Sequence, residues 1–190
     1  MKIIKSRLFK VLVILFIFGF ILGIISFFIF NKNNNEIVNY YMMIKNNKIN
    51  YLNSFFNSIL YNYKYISIIF IFGLIFFLSF LTPLIIIFRG ISLGFTLISI
   101  IYSFKMKGLI LGLILLFPVG LLNELIFILI SYYSIHFSFK VYNAIKNNKN
   151  INIKSFCKNY LIIFLIFLSI LTISSLFETF ISSNIIKFVL

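Results

Sequence analysis

The sequence predicts an all-α integral membrane protein, a bundle of about five transmembrane helices with one amphipathic helical loop outside the membrane. Apolar residues make up 62% of its 190 residues, and the mean hydropathy is +1.13. That composition is too apolar for a soluble domain of this size. Several apolar runs also reach the roughly 20 residues that cross a hydrocarbon layer. The whole chain, 1–190, is therefore expected to form one membrane domain.

The basic residues indicate contact with lipid headgroups. The net charge is +14, and the 17 Lys and Arg residues stand mostly at the ends of apolar runs instead of forming one basic face. This distribution favours anionic lipid as the partner over nucleic acid. One cysteine, Cys157, and one histidine, His136, supply neither a disulfide framework nor a clustered metal site. We therefore expect no cofactor and no catalytic centre.

The apolar runs give the predicted elements in order. The first run, 11–30, follows a basic start without a small-residue cleavage site, so it is predicted to be an uncleaved anchor. Segment 31–65 is rich in Asn, Lys and Tyr, and the helical spacing of its second half indicates a helix along the membrane surface. Four further spans are predicted at 66–81, 84–104, 108–133 and 160–181. A basic loop is predicted at 136–158.

The distribution of positive charge predicts the orientation. Ten Lys and Arg residues fall on the side of the N-terminus and seven on the other. Because positive residues are retained on the cytoplasmic side, the N-terminus and the loop 136–158 are expected to be cytoplasmic. The loop 31–65 and the C-terminus are then external to the cell membrane.

Prolines and glycines indicate bends and contact faces. Pro83 is predicted to mark the bend between the second and third spans, and Pro118 to kink the fourth. Glycines four residues apart form small-residue faces on which another helix can approach closely. Three such pairs occur, at Gly19 and Gly23, at Gly90 and Gly94, and at Gly108 and Gly112. The alternative is that these glycines are simply tolerated.

Two charged residues inside the apolar runs are predicted to form an ion pair. An ionised Glu124 left unpaired in hydrocarbon costs several kcal/mol. At 1.5 Å per residue it lies ~24 Å from the external end of its run, a depth that matches Arg89. We expect these two to pair, with Asn123 or Ser92 adding hydrogen bonds. In the alternative, Arg89 extends to the headgroups and Glu124 is protonated or interfacial.

Four motifs occur in a particular order along the chain. They are RGISLGFTLISII at 89–101, Lys107-Gly108, Phe117-Pro118 and FETFIS at 177–182. This order resembles the stage II sporulation protein M family over most of the chain, including the basic anchor and the long first loop. The resemblance implies a non-enzymatic scaffold that anchors two exported peptidoglycan-degrading proteins at the septal membrane during forespore engulfment.

The resemblance also bears on the last acidic residue. Ser174, Glu178 and Ser182 recur every four residues and share one helix face. Because Glu178 and Ser182 stand in the closing motif, they are expected to contact partner proteins at the external face. Without the resemblance, Glu178 is an ordinary interfacial residue at a helix end.

A different class of function stays open, that of a small transporter or permease subunit. Arg89, Glu124 and the break at Pro118 would then line a proton or substrate path. The small number of helices, the lack of a detectable internal repeat and the few polar residues in the first two spans count against it. Assembly into an oligomer would supply what one chain lacks.

Overall fold

The computed structural model describes residues 6–30, 39, 42, 43, 46, 51–115, 120–147 and 153–189, and every element in them is a helix. The helices are α1 Arg7–Phe30, α2 Tyr51–Leu74, α3 Phe76–Ser79, α4 Thr82–Leu115, α5 Leu121–Lys146 and α6 Ile153–Val189. Within these described residues, four stretches are long and apolar enough to cross a membrane, namely Arg7–Ile29, Phe76–Ile114, Leu121–Lys146 and Ser155–Phe180. The predicted all-α membrane bundle is confirmed.

Helices α1 and α4 pack against each other more extensively than any other described pair. Gly19 lies against the backbone of Ile87, and Gly23 against that of Ile91. Because the residue numbers rise together along both helices, the two run parallel.

Helix α4 contains a sharp reversal at Lys105. This residue has φ 51° and ψ −123°, a conformation that non-glycine residues seldom adopt. Beyond it, Gly108 lies against Ile100 and Ile101 of the preceding arm. Residues 106–115 therefore fold back antiparallel to the end of the first arm, and the absence of a side chain at Gly108 allows this close return.

Helix α2 joins two predicted elements. Residues 51–65 are helical, as the spacing predicted, but the same helix continues without interruption to Leu74. Nothing between Tyr51 and Phe72 breaks a helix, since the first glycine of this stretch is Gly73. The second predicted span, 66–81, ends early because Ile75 is extended, with φ −111° and ψ 114°.

The connection from α3 to α4 contains Pro83. It is the second residue of α4, where a proline's missing N–H removes no helical hydrogen bond. The hydroxyl of Thr82 donates to the carbonyl of Ser79 at 2.8 Å. The chain therefore turns from α3 into α4 at the predicted proline.

Other boundaries also differ from the prediction. The fourth run, 108–133, contributes to two helices, the returning arm of α4 and the start of α5. Pro118 lies outside the described residues. The predicted loop 136–158 is helical up to Lys146 and again from Ile153, because its lysines alternate with apolar residues that continue the helical pattern.

Helix α6 runs antiparallel to α2. Asn62 of α2 contacts Ser175 of α6, whereas Phe70 contacts Tyr160, so the residue numbers run in opposite directions. All five long helices contribute to one buried apolar core, which includes Leu12, Ile66, Ile69, Ile86, Phe127, Ile130 and Leu171.

Candidate functional site: a charged cluster inside the bundle

An ion pair joins α4 to α5 inside the bundle. Nη2 of Arg89 lies 2.6 Å from Oε1 of Glu124, and Nε of the same guanidinium donates to Oε2 at 3.4 Å. The two side chains are only 7% and 5% exposed. This two-point contact is the geometry that a guanidinium makes best with a carboxylate. The structure thus brings together the two charges that the sequence paired.

The pair lies deep within the bundle. Gly90, the neighbour of Arg89, is in contact with the backbone of Phe16 and Gly19, near the midpoint of α1. Gly19 is twelve residues from the start of α1 at Arg7, or ~18 Å along its axis. Arg89 therefore points toward a partner in the interior of the bundle, and the headgroup alternative does not describe its position.

Aromatic rings surround the guanidinium of Arg89. Its Cζ lies 4.1 Å from the ring centroid of Phe127, 5.4 Å from that of Tyr61 and 5.5 Å from that of Tyr65. The negative faces of such rings attract a cation, more strongly when water is excluded. The oxygen atoms of Tyr61 and Ser92 are 3.5 Å apart. These rings were not identified from the sequence, although Tyr61 and Tyr65 have the four-residue spacing of one helix face.

A second carboxylate joins the cluster from α6. Nδ2 of Asn123, the chain neighbour of Glu124, donates to Oε2 of Glu178 at 3.4 Å. The carboxylate of Glu178 thus contacts α5, and its contact with partner proteins stays a prediction. Asn123 bonds this acid and not the ion pair. The side chain of Ser182 lies outside the described part of the chain.

Further hydrogen bonds join α2 to α5 and α6. Asn62 donates to the hydroxyl of Ser175 at 3.3 Å. Further along, the hydroxyl of Ser134 donates to the carbonyl of Ile69 at 2.9 Å, and that of Tyr160 to the carbonyl of Phe70 at 3.1 Å. Such bonds join helices where lipid supplies no hydrophobic drive for association.

The glycines named from the sequence have different surroundings. A Cβ at Gly90 would meet the carbonyl oxygen of Phe16, and one at Gly94 that of Phe20. Gly108 is equally close to Ile100 within the α4 reversal. At Gly112 the nearest atoms are side-chain carbons 3.8 and 3.9 Å away, an ordinary contact distance. Close backbone approach thus involves the first three of these glycines and not Gly112.

Other candidate ligands lie apart from the cluster. His136 is exposed and stacks on Tyr132 with ring centroids 5.8 Å apart, and Cys157 is exposed on α6. Among the described residues, no group of three or more His, Cys, Asp or Glu side chains could hold a metal ion.

Long apolar helices that could cross a membrane, with a paired guanidinium among them, define a polytopic membrane protein with an ionic core. Comparison with protein families identifies which kind. The family model for Stage II sporulation protein M matches residues 9–183, so the chain belongs to the Stage II sporulation protein M family. Arg89, Glu124 and Glu178 all fall within the matched range. Neither the curated proteins nor the solved structures gave a match to the chain.

Proposed function

We propose that the protein is a non-enzymatic scaffold in the cell membrane that localises partner proteins to the septal membrane during forespore engulfment. The partners are two exported peptidoglycan-degrading sporulation proteins. Membership of the Stage II sporulation protein M family over residues 9–183 is the observation that carries this proposal. The family is not a known enzyme family, which agrees with a scaffold.

The arrangement of the helices supports a docking surface at one end of the bundle. Because α2 and α6 are antiparallel, the start of α2 and the end of α6 lie at the same end. On the first turns of α2, Leu52, Phe56 and Leu60 are 64%, 58% and 66% exposed. They recur every four residues and so form one apolar stripe, which a protein partner outside the membrane would cover.

The proposal is tested in a spore-forming host that carries the protein with an affinity tag. Leu52→Asn combined with Phe56→Asn should leave its membrane level unchanged, because both side chains are exposed. With the same variant, the exported hydrolases should no longer co-purify with the protein. They should also no longer be enriched at the septum. Asn53→Ser combined with Asn57→Ser is the matched control, because both residues are exposed on the same turns of α2 but polar. Unchanged septal localisation of the hydrolases in a strain lacking the protein would contradict the scaffold function.

A transporter or permease subunit is the second candidate, and the charged cluster is the observation that favours it. Arg89 and Glu124 lie in the interior of the bundle, where ionisable residues often mark a path for protons or ions. The purified protein in liposomes with an internal pH dye tests this function. Proton flux that Glu124→Gln abolishes would favour the transporter, whereas equal flux with and without the protein would remove it.

A further inference from the structure

The charged cluster has more acidic than basic side chains. Glu124 pairs with Arg89, and Glu178 is bonded by Asn123, the chain neighbour of Glu124. Among the described residues, two carboxylates therefore share one guanidinium. Glu124 occupies two nitrogen atoms of that guanidinium. If both acids are ionised, the three side chains carry a net charge of −1. An uncompensated charge inside the bundle is costly, so one of the acids is expected to take up a proton.

An amide oxygen that accepts no hydrogen bond, beside Glu178, indicates which acid takes up the proton. Asn123 is only 4% exposed, and its Oδ1 receives no hydrogen bond from any residue that the structure describes. The other end of the same amide, Nδ2, already donates to Glu178. Buried amide oxygens are nearly always paired, and a protonated carboxyl group is a donor that an ionised one is not.

We propose that Glu178 is a proton-binding site within the membrane. The carboxylate takes up one proton, and no covalent bond is broken. The resulting acid donates its O–H to Oδ1 of Asn123 and accepts from Nδ2, so that the two side chains form an acid–amide pair. The charge of Arg89 is then matched by Glu124 alone, and the cluster is neutral.

The surroundings favour a proton over a metal cation. Arg89 from α4 already places a positive charge at the cluster, and Glu124 from α5 is occupied by it. From α2, the rings of Tyr61 and Tyr65 contact the guanidinium. A hard cation needs about six oxygen ligands, which Asn123 and one carboxylate do not provide. The inference holds for a scaffold and for a transporter alike, so it does not rest on the proposed function.

Proton binding has a thermodynamic consequence with a definite sign. A glutamate of the unfolded chain in water has a pKa of about 4.3 and is ionised at neutral pH. The folded chain then holds one proton more than the unfolded chain. Stability therefore falls as the pH rises, until the folded chain also releases that proton.

The experiment measures the melting temperature of the full-length protein in lipid nanodiscs between about pH 5 and about pH 9, the range in which buried acids titrate. Wild type should lose several degrees as the pH rises. Glu178→Gln should stay folded and lose this dependence, because a glutamine offers Asn123 the same donor and acceptor as the protonated acid. Glu124→Gln is the matched change at the other acid. Its melting temperature should not fall as the pH rises, since Glu178 then supplies the negative charge for Arg89.

Each other result overturns the inference. A fall that persists in Glu178→Gln but not in Glu124→Gln assigns the proton to Glu124. If the melting temperature falls with rising pH in both variants, the proton is bound by a group outside the cluster. If it falls in Glu124→Gln alone, Glu178 does not supply the negative charge that Arg89 needs. The infrared band of a protonated carboxyl group provides a second readout. It should be present in wild type and absent in Glu178→Gln. Its frequency should shift in Asn123→Leu, because the protonated Glu178 donates to that amide, whereas an unshifted band would assign the proton to Glu124.

Discussion

At the scale of single residues, Arg89 organises the interior of the bundle. Its guanidinium contacts the carboxylate of Glu124 and lies 4.1 Å from the ring centroid of Phe127. A planar guanidinium can make both contacts at once, which the compact ammonium of a lysine cannot do. The side chain therefore joins α4 to α5 through both contacts.

Removing one charge of this pair should destabilise the protein strongly. Arg89→Gln leaves Glu124 buried without its partner, and we expect a loss of about 3–5 kcal/mol in the free energy of unfolding. The double variant Arg89→Gln with Glu124→Gln should be more stable than Arg89→Gln alone, because neither charge remains. Thermal unfolding in detergent, analysed as a double-mutant cycle, measures both effects.

The exchange Arg89→Glu with Glu124→Arg provides a control in the opposite direction. It retains one charge of each sign, so it should recover part of the membrane level that Arg89→Glu alone loses. If the exchange recovers nothing and the single variants are as stable as wild type, the pair does not stabilise the bundle.

Residue counting could predict the depth of the charges but not the whole cluster. The fixed rise of a helix places Arg89 and Glu124 at a common depth, and their atoms are 2.6 Å apart in the structure. Which rings face Arg89 depends on the rotation of each helix about its axis. Spacing within α2 does not determine that rotation, so Tyr61 was missed. The inward direction of Glu178 was missed for the same reason.

At the scale of elements, the parallel contact of α1 with α4 depends on glycine. Gly19 and Gly23 of α1 lie against Ile87 and Ile91 of α4. In return, Gly94 lies against Phe20 of α1. Backbone meets backbone at each of these points, so a methyl group has no flexible side chain to displace.

Adding that methyl group should therefore weaken the contact. We expect Gly23→Ala or Gly94→Ala to lower the free energy of unfolding by about 1–3 kcal/mol, the usual cost of overpacking. Gly112→Ala is the matched control, because its neighbours are side chains 3.8 Å away or more and it should change stability little. Melting temperature and yield in the membrane fraction measure the difference. Equal stability of all three variants would mean that α1 can shift away from α4 at little cost.

Element boundaries were predicted less well than element type. Hydropathy separated segment 31–65 from the second span because Asn62 and Lys64 interrupt the apolar run. In the structure, Asn62 is buried and bonded to Ser175 of α6, so this polar residue belongs to the bundle. A partner on a distant part of the chain removes the penalty that hydropathy assigns. The sequence alone does not show that partner.

At the scale of the whole molecule, the helix directions collect positive charge at one end. The start of α1 lies beside the middle of α5, where Phe9 meets Tyr132. In the second half of α5, Phe137 meets Tyr160 near the start of α6. That end carries Arg7, Lys10, Lys140, Lys146 and Lys158. The reversal of α4, with Lys105 and Lys107, lies at the opposite end. The charge asymmetry supports a cytoplasmic N-terminus, which remains a prediction.

The cysteine content makes this orientation directly testable. Cys157 is the one cysteine in the sequence and is exposed, at the basic end near the start of α6. A membrane-impermeant maleimide should leave it unlabelled in intact cells and label it after permeabilisation. Cys157→Ser combined with Met106→Cys moves the thiol to the α4 reversal, where Met106 is 76% exposed, and should be labelled in intact cells. Labelling of Cys157 from outside would show that the orientation is opposite to the predicted one. The start of α2 and the end of α6, which are proposed to dock the hydrolases, would then lie in the cytoplasm.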